Sequence, residues 1–304
     1  MKPAVVLMAY GSPAGAEDIR PYLEDIREGR PVSDAAVAEL TERYRRIGGR
    51  SPLDDATEGQ RAALERELGL PVLVGMKHWR PRIAEAVEQA LAGGADTIVG
   101  LVLAPHYSRL SVQGYRDRLE EALQGRAELR FVESWHTHDP YLDALADRVR
   151  DSEAHVVFTA HSLPARIIDE GDPYRDQLLE TSQLIAERAG LGSWSFAFQS
   201  ESPTGEPWLG PDILDELDAL KTNGVDRVLV CPIGFVSDHL EILWDLDVEA
   251  VERAGELGVQ LERIDSLNDD PAFIRGLADL VRQTVSVPSH RAPSGNEPIT
   301  SDGR

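Results

Sequence analysis

The chain has one cysteine, Cys231, in 304 residues. A lone thiol excludes an intrachain disulfide, and it excludes a four-cysteine zinc or iron–sulfur site within one chain. At the end of an apolar run, Cys231 reads as a small core residue rather than a nucleophile. Basic residues are scarce as well: 31 Lys and Arg stand against 53 Asp and Glu, a formal net charge of −22. That balance argues against nucleic acid and against anionic membrane, since both require basic patches. No run of about 18 apolar residues occurs, so no transmembrane helix is expected. The apolar stretch in MKPAVVLMAYGSP is too short for a signal peptide, and its Gly-Ser-Pro reads as a strand end. A strongly solvated cytoplasmic protein is expected. Also missing are a Gly-x-Gly-x-x-Gly after a strand, a P-loop and a Gly-x-Ser-x-Gly elbow.

What is present is alternation. Strand-like runs at 4–9, 72–76, 97–103, 130–132, 156–159, 194–198, 227–230 and 260–264 are separated by helix-compatible segments. The helices fall at 17–27, 34–47, 57–68, 82–92, 112–123, 141–151, 176–189, 212–221, 240–254 and 271–284. Alternation of this kind predicts an α/β protein with mostly parallel sheets covered on both faces. The halves echo each other, VVLMAYGSP at 5–13 against VVFTAHSLP at 156–164. Two similar doubly wound, Rossmann-like domains are expected, 1–150 and 151–285, with an active-site cleft between them. The polar stretch 286–304 is expected to be a disordered tail.

Two stretches hold the chemistry. In VVFTAHSLP the first polar side chain with acid–base capacity after the strand is His161, in a loop pinned by Pro164. An isolated histidine usually packs or faces solvent; the carboxyl end of a buried strand is where ligands are met, and that favours function. In CPIGFVSDHLEILWDLDVE, residues 231–249, Glu241, Asp245 and Glu249 recur every four residues and form one acidic ridge if helical. No Lys or Arg shares the ridge, which suits a hydrated divalent cation. Apolar neighbours around Glu241 predict a raised carboxyl pKa there. His239 reads as a packing or supporting residue. Tyr10 is equivalent to His161 in the first half and is expected to face it. Arg27, Arg43, Arg46 and Arg50 gather near Ser51, a local basic group that points to carboxylates to be bound. Trp135-His136-Thr137-His138 lacks a third ligand nearby and is not read as zinc.

Taken together, Phe158–Pro164, Gly171-Asp172-Pro173-Tyr174 and Gln177 resemble the ferrochelatase signature. Tyr10–Pro13, Tyr44 through Gly48–Leu53, Gly75–His78, Leu103–Ser108, Gln199–Glu201, Pro207–Pro211 and Phe235–Glu241 extend the resemblance over nearly the whole chain. The chain is most similar to the soluble, monomeric bacterial branch that inserts iron into coproporphyrin III. The resemblance implies a chelatase-like fold, a lyase of haem biosynthesis, and Fe2+ as a substrate rather than a cofactor. It implies no tightly bound cofactor and no iron–sulfur cluster. His161 and Glu241 would handle metal and pyrrole protons, and Tyr10 would be the axial ligand of product iron. Asp245 and Glu249 would form the ridge leading to the site. Arg27, Arg43, Tyr44, Ser51, Tyr115 and Tyr10 would hold the macrocycle and its propionates. Iron or porphyrin hand-over proteins are left open as partners. The alternatives are a protoporphyrin IX ferrochelatase, a non-catalytic haem or tetrapyrrole carrier, and a chelatase for another metal or ring.

Overall fold

The computed structural model describes residues 1–202 and 204–286. It holds two four-stranded, wholly parallel sheets of the same order. The first is β2 (Val72–Met76), β1 (Pro3–Ala9), β3 (Thr97–Val102), β4 (Glu128–Val132). The second is β6 (Trp194–Gln199), β5 (His155–His161), β7 (Arg227–Pro232), β8 (Gln260–Arg263). The α/β reading and the repeat of one topology therefore hold. Strands β1 and β3 are buried along almost their whole length, as central strands covered on both faces must be, which is why they read as unbroken apolar runs.

The connecting helices are α1 (Ile19–Ile26), α2 (Asp34–Arg46), α3 (Leu53–Leu68), α4 (Ile83–Ala92), α5 (Val112–Leu123) and α6 (Asp139–Val149). The second half adds α7 (Tyr174–Ala189), α8 (Ile213–Thr222), α9 (Val251–Leu257) and α10 (Pro271–Ser286). Among the described residues no helix is long and apolar enough to cross a membrane. The expected tail reduces to 287–304, outside the described residues, because Ser286 closes α10.

Core residues from both halves merge. One apolar cluster runs from Val5 and Leu7 on β1 through Phe158 on β5 to Val281 on α10. The last helix, which follows the second sheet in the chain, packs on α3, α6 and the first sheet. Helix α6 in return packs on α7 and β7. This exchange of helices ties the halves together and sets the carboxyl ends of β1 and β5 along one cleft.

Three of the boundaries that differ from the sequence reading lie next to that cleft. Strand β5 runs on to His161, which pairs with Gln199 of β6, so His161 ends the strand rather than following it. Helix α3 begins at Leu53, not Thr57: the Ser51 hydroxyl accepts the Leu53 N–H at 3.2 Å, and the Thr57 hydroxyl donates to the Leu53 carbonyl at 2.7 Å. Thr57 thus lies one turn inside the helix. The segment expected as one α-helix over 240–254 is a π-helix, Ile242–Ala250, that passes into α9. Its i→i+5 bonding widens the turn, a local irregularity common at functional sites.

Candidate active site

The carboxyl ends of the two first strands meet a cavity of about 310 Å³. Ala9 and Tyr10 leave β1 at its wall; His161 ends β5 at the same wall. Tyr44 enters from α2, Ser51 from the turn before α3, Tyr115 from α5, and Glu241 from the residue before the π-helix. Two glycines make these approaches possible. Gly11 has φ +95°, and a Cβ there would lie 3.1 Å from the Trp79 nitrogen. A Cβ on Gly234 would sit 2.6 Å from the Ala160 Cβ, one residue before His161.

His161 Nε2 lies 3.5 Å from Glu241 Oε1. The imidazole Nδ1 contacts the Ser162 carbonyl, which can only accept, so Nδ1 holds a proton and Nε2 is the nitrogen turned to Glu241. The His161 backbone is held as well, its carbonyl accepting from the Tyr174 hydroxyl at 2.9 Å. His239 Nε2 lies 3.5 Å from the other oxygen, Glu241 Oε2. One carboxylate is thus bracketed by two imidazoles. Burial opposes charge on His161, yet Glu241 and the Ser162 carbonyl outweigh it and raise its pKa to about 9. Burial likewise opposes ionisation of Glu241, but His161 and His239 hold it well below the usual carboxylate range.

The raised carboxyl pKa expected at Glu241 therefore lies elsewhere. Asp245, one step along the ridge, is buried and accepts from the Ser200 hydroxyl. Burial, then the neighbouring charge of Glu241, pushes it up to about 6. The physical reason for the exchange is that the imidazoles face Glu241 and not Asp245. Asp245 and the half-buried Glu249 do not line the cavity.

Tyr10 is 41% exposed within the cleft, its ring 4.8 Å from that of His78. The enclosing walls and the charge of Glu241 push its phenol well above its ordinary range, so it holds its proton. The arginine cluster divides. Arg50 pairs with Asp55, Arg46 with Glu252, and Arg43 with Glu39 at 2.8 Å, so these three are matched to carboxylates of the chain itself. Arg43 and Arg46 also stack on Trp244, each 5.3 Å from its ring centre. Arg27 is exposed, and neither Arg27 nor Arg43 lines the cavity. Sequence reasoning passed over Lys77, Tyr22 and His106, which do line it. For Lys77 a signal existed: it directly follows β2, at the same carboxyl edge as Tyr10 and His161.

A family model described as ferrochelatase matches residues 2–285. A ferrochelatase of Deinococcus radiodurans is 44% identical over 93% of this chain and 96% of its own length. One from Herpetosiphon aurantiacus is 42% identical over 94% and 98%. A coproporphyrin III ferrochelatase of Halalkalibacterium halodurans is 41% identical over 94% and 98%. Among solved structures, SirB from Bacillus subtilis with Fe3+ superposes with a TM-score of 0.61 over 94% of this chain and 96% of its own, at 12% identity. That likeness is one of fold.

Proposed function

The chain belongs to the ferrochelatase family, and from that premise we propose that it inserts Fe2+ into coproporphyrin III, with His161 and Glu241 as the catalytic pair. Metal chelation in haem biosynthesis is the family's chemistry. The observation that carries the residue assignment is the His161–Glu241 contact at the wall of a cleft whose remaining lining is largely tyrosines and apolar side chains, with Lys77, His106, His239 and a few serines. Insertion replaces two pyrrole protons with one dication, so the site must receive a cation and release two protons.

Before iron arrives the pair is imidazolium and carboxylate. An imidazolium has no lone pair at Nε2 and can neither bind metal nor take a proton. The approach of Fe2+ along Asp245 and Glu249 repels that proton to water and frees Nε2, while Glu241 faces the metal as an anion. The freed imidazole and Glu241 then accept the pyrrole protons or hold the metal as it crosses into the ring. Tyr10 would ligate product iron through its phenol oxygen once it gives up its proton. Tyr44, Ser51 and Tyr115 line the ring's berth, and Arg27 and Arg43 reach propionates at its rim. For Arg43 this means leaving Glu39.

Two observations favour coproporphyrin. Several relatives carry that substrate in their names. Arg27 and Arg109 are exposed and make no side-chain ion pair among the described residues, and two such cations suit a ring with four propionates better than one with two. Anaerobic mixing of protein and Fe2+ with either porphyrin, followed by visible absorption, tests this. Rapid change with coproporphyrin III and little with protoporphyrin IX is expected; the reverse preference would refute the substrate. Tight binding of both with no insertion would instead support a carrier.

A further inference from the structure

Lys77 belongs to two cavities. It lines the cleft described above, and it lines a second, more open cavity of about 510 Å³ between α4 and α5 on the outer side of the first sheet. Arg82, Glu88, Arg118, Glu121 and Arg126 share that second wall. Some of these charges are matched: Arg126 pairs with Glu88, and Arg82 pairs with Asp25 at 2.7 Å. Lys77 and Arg118 are not. Lys77 as a residue is nine-tenths buried, and its ammonium donates to the Ser111 carbonyl at 3.1 Å and lies 4.8 Å from the Tyr115 ring centre. Arg118 donates to the Gly114 carbonyl at 3.1 Å. Among the described residues neither cation makes an ion pair, although the charge of Asp117 favours the Lys77 ammonium from a distance. Asp117 is engaged by Gln113 at 2.7 Å, and Glu121, exposed on the same wall, contacts neither cation.

Helix α5 is built so that the two heads meet. Gly114 lies inside it, where glycine costs about 1 kcal/mol relative to alanine. A Cβ at that position would be 3.0 Å from Lys77 Nζ and 3.6 Å from Arg118 Nη1. The missing side chain leaves both cationic heads converging on one point. Two like charges held together, one of them buried, repel each other and lack the hydration that would screen them. Among the described residues no carboxylate forms an ion pair with either, and the charge of Asp117 acts on Lys77 only from beyond contact. An oxyanion relieves both the repulsion and the unmet donors, since ammonium and guanidinium together match its oxygens.

We propose that the outer cavity is a binding site for a small free oxyanion of the phosphate class, held by Lys77 and Arg118 over Gly114. Because Lys77 is a wall common to both cavities, the occupant also fixes one boundary of the porphyrin cleft from behind.

Calorimetric titration of the full chain with inorganic phosphate at constant ionic strength, without porphyrin or iron, tests the site independently of the substrate reading. Saturable one-to-one binding is expected. It should weaken at least about tenfold in Arg118→Gln, the loss of one charge-assisted contact, and similarly in Gly114→Ala, where a methyl group occupies the meeting point. Thermal melts verify that both variants are folded. No saturable binding by the wild type, or equal binding by wild type and both variants, overturns the proposal. A second arm measures coproporphyrin III affinity of Arg118→Gln. Loss of porphyrin affinity without any phosphate binding by the wild type would assign the pair to a carboxylate of the substrate and overturn the free-anion site.

Discussion

His161 Nε2 faces Glu241 Oε1 across 3.5 Å, one residue at the end of a strand and the other at the start of a π-helix. The two halves of this pair shift in opposite directions, and that has a consequence for stability. His161 is raised from 6.5 to about 9, so its contribution is complete below 6.5 and is lost as pH rises through 9. Glu241 is depressed from 4.5, so its contribution is complete above 4.5 and is lost as pH falls toward its folded value. The pair therefore stabilises the fold fully between 4.5 and 6.5. Melting temperature measured against pH should decline from 6.5 to 9, and Glu241→Gln should flatten that limb. An equal slope in both proteins would show that His161 is not held as an imidazolium.

His161→Ala is expected to abolish iron insertion while leaving coproporphyrin III binding within about threefold, because Tyr10, Tyr44, Ser51 and Tyr115 also line the cavity. Stopped-flow metallation together with a fluorescence-quenching titration of porphyrin separates the two. Near-wild-type turnover would remove His161 from the mechanism.

Tyr10→Phe deletes the phenol oxygen and little else, since the ring keeps its contact with His78. The visible spectrum of the bound iron product should change, reporting loss of an axial oxygen. A product spectrum identical to wild type would exclude Tyr10 as ligand.

Trp244→Ala removes the surface on which Arg43 and Arg46 both stack. Two partly exposed cation–π contacts are worth about 1–2 kcal/mol together, and urea unfolding should show a loss of that size. Since α2 brings Tyr44 into the cavity wall, KM for porphyrin should rise more than kcat falls. Trp244→Phe, which keeps a ring, should recover part of both. Equal effects of the two substitutions would rule out stacking as the cause.

Much of the fold was legible because buried parallel strands announce themselves as short apolar runs, and Val156–Phe158 or Ile98–Val102 can hardly be anything else once helices flank them. His161 was legible for a related reason: the position at a strand's carboxyl end is local information. The errors cluster where one segment's shape depends on another. Strand β5 reaches His161 only because Gln199 of β6 continues the ladder. The π-helix was invisible, since nothing in ILWDLDVEA distinguishes an i→i+5 turn from an i→i+4 turn until Asp245 is buried against Ser200. The arginine cluster misled because proximity in sequence does not say which carboxylates are nearer in space.

The sequence alone determined the alternation of strands and helices, the family, and which side chains could do the chemistry, because these depend on residue type and order. The tertiary structure decided the charge states. How readily each carboxylate ionises depends on distances and burial: two imidazoles contact Glu241 and none contacts Asp245, so the first is held below the usual carboxylate range and the second above it. It likewise decided that Lys77 and Arg118 share one point over Gly114, a meeting of segments 37 residues apart in the chain that the packing of α5 on α4 and β3 brings about.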